Sequence, residues 1–160
     1  MNLERTFLPR LAVLSFTALV LGGLLLAAPA ARAALGSTAA SVEADRAALQ
    51  AQHSVAAQAL YVLHELTLPS GTTLREYRAP DGIVFAVTWN GPAKPDLSQV
   101  LGAYFPGYVE AARANGAGHN HLAATRADLV LVSSGHMRAF TGRAYLASAI
   151  PAGVSIDELR

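Results

Sequence analysis

Residues 68–92 read LPSGTTLREYRAPDGIVFAVTWNGP and place two strand-like runs between turn residues. The turn signals are PSG at 69–71 and PDG at 80–82, and residues of these types supply the backbone angles that reverse a chain. Strand-forming runs at such short intervals are typical of a hairpin followed by a further strand. With an alternating run at 60–68, the stretch predicts a three-strand antiparallel meander.

The run at 83–89 is the most informative strand of the meander. Its side chains alternate, which predicts one face formed by Ile83, Phe85, Val87 and Trp89 and the other by Val84, Ala86 and Thr88. A fully buried side chain of the larger type contributes about 1.5–3 kcal/mol to stability. We therefore expect this strand at the centre of the sheet, with its larger face in the core.

Two further strands are predicted at 128–134 and 136–145. The main helix is predicted at 96–115, where Asp96 can cap the first turn and apolar residues recur at three- and four-residue steps. Pro106 predicts a kink or break near its middle.

A second helix is predicted at 42–53, capped by Ser41, but its apolar face is weak because it consists mostly of alanine. Strands that follow one another without alternating helices argue against a parallel βαβ fold. The predicted fold class is therefore α+β: an antiparallel sheet of about five strands packed by one main helix, with a weak N-terminal helix.

The first residues have the pattern of an export signal. Arg5 and Arg10 are basic, residues 11–28 are apolar and uncharged, and the sequence ARA at 31–33 is a small-x-small site. We interpret 1–33 as a Sec-type signal peptide cleaved before residue 34, leaving one globular domain at 34–160. A retained membrane anchor is the alternative, because the apolar run approaches the roughly 20 residues that span a bilayer. Cleavage implies a periplasmic or extracellular protein that meets a membrane only through its signal.

Charge and cysteine content exclude several classes of function. The 160 residues include 12 Lys and Arg, 11 Asp and Glu, and no Cys. Removing 1–33 takes away three basic residues and one acidic residue, which leaves a net charge of −1. Nucleic-acid binders concentrate basic residues on one face, so this composition disfavours nucleic acid as a partner. Disulfides, thiol nucleophiles and thiolate metal ligands are excluded.

The nearest approach to a metal motif is His119 and His121 in a glycine-rich stretch. Two imidazoles two residues apart can reach one ion if further ligands converge, and His136 or Asp128 could supply one. A fourth ligand is not evident, so a solvated loop is the favoured interpretation and no cofactor is predicted.

Hydrolytic chemistry is a second possibility, since SSGH at 133–136 joins hydroxyl groups to an imidazole and Asp128 lies upstream. The G-x-S-x-G motif of many hydrolases is missing, and a serine-rich turn explains the same residues.

Glu65 and Glu76 could form an acid–base pair if they shared a cleft. Ion pairs on the solvent face are the favoured alternative there.

Arg138 and Arg143 are the most promising ligand-binding residues, because long cationic side chains among apolar neighbours need a partner. They could bind an anionic ligand by guanidinium hydrogen bonds, with His136 beside them. Internal partners, namely Asp81, Asp96 or Asp128, are the alternative.

Four motifs occur in order along 34–160: LPSGTxLREY from 68, GIVFAVxWNGP from 82, PDLxQVLGxYF from 95, and DLVLxSxGHMRAFxGRAYL from 128. In these the chain resembles a family of exported bacterial proteins known as domain of unknown function 2844. The resemblance implies export in a Gram-negative bacterium and no particular activity. The expected function is a non-catalytic binding or interaction module of the cell envelope, with an envelope partner or a small ligand. The alternative is a small envelope hydrolase or metal-dependent enzyme using His119, His121 and His136.

Overall fold

The structure, a computed structural model, describes residues 35–114 and 121–160. The signal peptide predicted at 1–33 lies outside these residues. The elements, in chain order, are α1 (Ala39–Ala48), β1 (Gln52–Ala57), β2 (Val62–Thr67), β3 (Thr73–Arg78), β4 (Val84–Gly91), α2 (Leu97–Leu101), a 3₁₀ turn (Gly102–Tyr104), α3 (Phe105–Ala114), β5 (His121–Arg126), β6 (Leu129–His136), β7 (Ala139–Leu146) and two short 3₁₀ turns, Ala147–Ala149 and Ile156–Glu158.

The strands form one antiparallel sheet in the order β1-β2-β3-β4-β7-β6-β5. The α+β class and the meander of β2, β3 and β4 are confirmed. The prediction of about five strands was wrong, because the described residues contain seven. The two additional strands, β1 and β5, are the edges. Both are rich in alanine, which has little intrinsic preference for strands, so their conformation comes from pairing with β2 and β6.

The strand β4 is central, as predicted, but two of its side chains, Val84 and Phe85, lie on the faces opposite to those predicted. Tyr77 pairs with Ala86 and Arg78 with Val84, so Phe85 is an extra residue in a β-bulge. The bulge places Phe85 in the same cluster as Tyr77 and Ala86. The predicted face that joined Phe85 to Val87 and Trp89 was therefore wrong at Phe85, and Val84 takes its place beside them in the main core.

The sheet has two different faces. On the helix face, Val42 of α1 and Val100 and Leu101 of α2 pack against the sheet in the main core. On the opposite side, which we call the back face, residues 150–159 cover only part of the sheet. Leu159 is buried there in a smaller cluster. The remainder of the back face is open to solvent, and this difference positions the candidate site.

The main helix predicted at 96–115 is interrupted. Asp96 caps α2 as expected, since its side chain accepts hydrogen bonds from the backbone N–H groups of Ser98 and Gln99. Gly102 then has a φ of 48°, which an L side chain rarely adopts, and the 3₁₀ turn follows. Pro106 lies in the first turn of α3, where its missing N–H costs nothing. Among the described residues, no helix combines the length and apolarity needed to cross a membrane.

Candidate functional site

A groove of about 450 Å³ opens on the back face, where β4, β7 and β6 run side by side. This size lies within the range of about 300–1,000 Å³ that is common for small-molecule sites. Period-two alternation places polar residues of the three strands along it, and residues 159 and 160 border it. The polar side chains of these strands that line it are Thr88, Asn90, Ser134, Thr141 and Arg143.

Arg143 lies in this groove, but with a partner that the sequence analysis did not predict. Its Nη1 donates to the main-chain oxygen of Ile156 at 3.1 Å and lies 3.3 Å from Oδ1 of Asp157. The proposed partners Asp81, Asp96 and Asp128 were wrong. The side chain of Asp157 is 89% exposed, and an ion pair so open to water contributes about 0–1 kcal/mol. A ligand anion could therefore replace Asp157 at little cost.

A second guanidinium group, that of Arg75 on β3, also lines the groove. Its Nε donates to Oε2 of Glu65 at 2.7 Å, and its Nη1 donates to the main-chain oxygen of Arg160 at 2.9 Å. The cross-strand ion pair favoured for these strands is confirmed. The alternative acid–base pair of Glu65 and Glu76 was wrong. Glu65 is paired with Arg75 and shares its face, whereas Glu76, the next residue of β3, points to the opposite face, which is the helix face.

Arg138 and His136 do not join Arg143. Residues 137 and 138 connect β6 to β7 at the tip of a hairpin, where Arg138 is exposed and has a φ of 59°. His136 is also exposed, and its Nδ1 accepts a hydrogen bond from the backbone N–H of Met137. Five residues of extended chain separate the two arginines, which is roughly 16 Å. The predicted ligand-binding set is therefore divided between the groove and the hairpin tip.

Of the residues proposed for a metal site or a hydrolase, His121 and His136 lie on neighbouring strands, since His121 pairs with Ser134, two residues before His136. His121 is exposed at the start of β5, and His119 lies outside the described residues. No group of three or more His, Cys, Asp or Glu side chains that could hold a metal ion occurs within 35–114 and 121–160. Asp128 accepts two hydrogen bonds from Ser148, at the opposite end of β6 from His136. A strand of eight residues separates the two ends by roughly 26 Å, so Asp128 cannot orient His136.

A different pair of acidic side chains, Asp45 of α1 and Glu76 of β3, is buried together on the helix face. Their exposed fractions are 0% and 1%. Gln99 of α2 donates a hydrogen bond to Oδ1 of Asp45. Oδ2 of Asp45 and both oxygens of Glu76 have no other hydrogen-bond partner among the described residues, and the two carboxyl groups are hydrogen-bonded to each other. The pair thus connects α1 and α2 to the sheet, on the side away from the groove.

This environment changes the protonation of both groups. Burial, and next the negative charge of Asp45, raise the pKa of Glu76 from its ordinary value of 4.5 to about 9. Burial raises the pKa of Asp45 to about 6, and the hydrogen bond from Gln99 opposes that rise. His64 lies beside Glu76 on the next strand, and burial lowers its pKa. At neutral pH Glu76 therefore keeps its proton while Asp45 carries the charge.

Sequence reasoning missed the buried pair and most of the groove, although signals for both were present. Asp45 lies three residues after Val42 and four before Leu49, on the one apolar face of its helix. Glu76 alternates with Leu74 on the core side of β3. For the groove, alternation alone would have grouped Thr141 with Arg143.

Comparison with known proteins gives one result. No curated protein and no solved structure matches this chain. One family model, described as "Protein of unknown function (DUF2844)", matches residues 31–159, which include all of the described elements. The match covers the sheet, the groove and the buried acidic pair, and the chain therefore belongs to the DUF2844 family.

Proposed function

We propose that the protein is a non-catalytic, exported binding module that holds a small anionic ligand in the back-face groove, with Arg143 as its main contact. The observation that carries the proposal is the groove itself, which has the volume of a ligand site. Three arginines, several hydroxyl groups and an amide line it, together with the apolar residues Trp89, Val132 and Leu159. Positive charge and hydrogen-bond donors in one concave site favour an anion with several oxygen atoms.

The geometry around Arg143 supports an exchange of partners. A guanidinium has five N–H donors in a planar fork that matches a carboxylate or phosphate. In the structure the fork is directed to Ile156 and to the exposed Asp157. A ligand carboxylate could take the place of Asp157 while the bond to the main chain of Ile156 holds the arginine in position.

Export to the periplasm or cell exterior is part of the proposal. Its support is the basic, apolar and small-x-small pattern of 1–33. The family match begins at residue 31, so nearly all of this pattern precedes the matched region. The chain has no cysteine, so its folding does not depend on disulfide formation in either compartment.

Replacing Arg143 by methionine is expected to weaken anion binding at least tenfold. Methionine keeps the aliphatic bulk but removes charge-assisted hydrogen bonds, each worth about 1.5–3 kcal/mol. The measurement is isothermal titration of the purified protein with galacturonate, citrate and inorganic phosphate, supported by the shift of melting temperature at saturating ligand. The matched control is Arg138→Met, which removes the same charge at the hairpin tip and should leave affinity unchanged.

A second variant distinguishes the loss of a ligand contact from a purely structural effect of Arg143→Met. Asp157→Asn removes the competing carboxylate and should raise the affinity severalfold. Because the side chain of Asp157 is 89% exposed, we expect little change in stability from this substitution. Failure of all three anions to bind, or equal losses in Arg138→Met and Arg143→Met, would dismiss the groove as an anion site.

A further inference from the structure

An uninterrupted row of polar side chains crosses the back face from one edge of the sheet to the other. Each of the seven strands contributes one residue, and each is paired directly with the next. Directly paired residues of neighbouring strands point to the same face. The polar row consists, in spatial order, of Gln52, Thr67, Thr73, Asn90, Thr141, Ser134 and His121.

The polar row is open to solvent and carries no Asp, Glu, Lys or Arg. Thr73 is partly buried and the other six residues are exposed. Apart from His121, the side chains of the row have no hydrogen-bond partner among the described residues. Neighbouring strands lie about 4.8 Å apart, so the row is about 29 Å long and offers a hydrogen-bonding group at each step. A surface of this kind suits a long ligand with repeated hydroxyl groups better than a compact one.

The next row toward residues 150–159 carries the charge. It includes Arg75 on β3 and Arg143 on β7, which are both paired with Thr88 of β4. The two arginines are therefore two strand spacings apart, about 10 Å, and about 7 Å from the polar row along the strands. The two positive groups are thus spaced at twice the distance between neighbouring polar residues of the row, and both lie on one side of it.

We propose that the polar row and the two arginines form a binding surface for an extended acidic polysaccharide, a polymer of uronic acids that runs across the strands. The sugar hydroxyl groups, which donate and accept, pair with the hydroxyl and amide groups of the row. Carboxylates on alternate sugars point to Arg75 and Arg143. The proposal rests on the anion site proposed above and extends it from a single groove to the width of the sheet.

The chemistry of the surface distinguishes this ligand from other polymers. A nucleic acid would place a phosphate at every step and would need a denser series of cations than two arginines accompanied by Glu65 and Asp157. A lipid surface would need exposed apolar side chains, which the polar row does not contain. A neutral glycan would leave the arginines without a ligand partner.

The test measures binding of the purified protein to polygalacturonate, to monomeric galacturonate and to dextran, by titration calorimetry and affinity electrophoresis. We expect polygalacturonate to bind at least tenfold more tightly per occupied site than galacturonate, and dextran to bind more weakly than either. The double variant Thr67→Val/Thr73→Val removes two hydroxyl groups of the row outside the groove with little change of shape, and it should lower polymer affinity about tenfold while changing monomer affinity less than twofold.

The matched control is Thr125→Val on β5, an exposed threonine of the same face that lies two rows from the polar row. It should bind both ligands as the wild type does. If galacturonate binds through Arg143 but the polymer binds no more tightly, the polysaccharide surface is refuted while the anion groove stands. If neither ligand binds, both proposals fail. Polymer binding that is unchanged in the double variant also overturns the role of the row.

Discussion

Replacing Gly142 by alanine is expected to lower the free energy of unfolding by about 3 kcal/mol, at the upper end of the usual cost of overpacking a core. Gly142 of β7 lies directly opposite Trp89 of β4. A Cβ atom at this position would lie 2.2 Å from Cζ2 of Trp89 and 2.8 Å from the main-chain oxygen of Val132. The indole is 1% exposed, so the added methyl group must displace either this buried ring or the backbone of β6.

Urea denaturation of wild type and variant measures this difference. The matched control is Gly107→Ala in α3, where the nearest atom to the added Cβ is Cδ2 of Leu129 at 4.0 Å. That change should be neutral or stabilise the protein by up to about 1 kcal/mol, because alanine favours a helix more than glycine does. Equal stability of Gly142→Ala and wild type would show that the packing of Trp89 does not require a residue without a side chain at position 142.

The substitution Glu76→Gln is expected to make the protein more stable than the wild type at pH 9 by several kcal/mol, with a much smaller difference at pH 5. The pKa of Glu76 is raised in the folded state to about 9 from 4.5. The folded state therefore binds the proton more strongly, and the stability that this adds is present below pH 4.5 and is lost as the pH rises through 9. Glutamine has nearly the same shape, stays neutral, and can donate to Asp45.

The measurement is urea denaturation of both proteins at fixed pH values from 5 to 9. Comparing the two proteins cancels the contribution of His64, whose lowered pKa makes stability fall below pH 6.5 in both. Glu43→Gln on α1 is the control. The hydrogen bond from Arg46 lowers the pKa of Glu43, so this group loses its contribution only as the pH falls below 4.5, outside the measured range. A constant difference between Glu76→Gln and wild type across the range would mean that Glu76 is ionised throughout.

Local sequence patterns predicted the elements that have strong local signals. The turn residues at 69–71 and 80–82 separate three alternating runs, which form β2, β3 and β4. Asp96 marks the start of α2, because its side chain caps the first turn. The edge strands β1 and β5 were missed, because an alanine-rich segment acquires strand structure from its neighbour rather than from its own preference.

The candidate site was predicted only in part, for the same physical reason. Arg143 was identified because a cation among apolar residues stands out in a sequence. The sequence did not predict that Asp157 is its partner, that Arg75 lines the same groove, or that Arg138 lies at a hairpin tip. These positions depend on where the chain turns and on which residues cross the back face. Contacts between residues far apart in sequence leave no local pattern.

The sequence by itself determined an α+β chain with a central antiparallel meander, because turn chemistry and side-chain periodicity act over a few residues. Only the tertiary structure decided the number of strands, the bulge at Phe85 and the meeting of Asp45 with Glu76, since each depends on pairing register or on packing between distant elements. Register also brings seven separate polar residues into one row across the back face. Residues that are unremarkable one at a time become a surface because neighbouring strands hold them side by side.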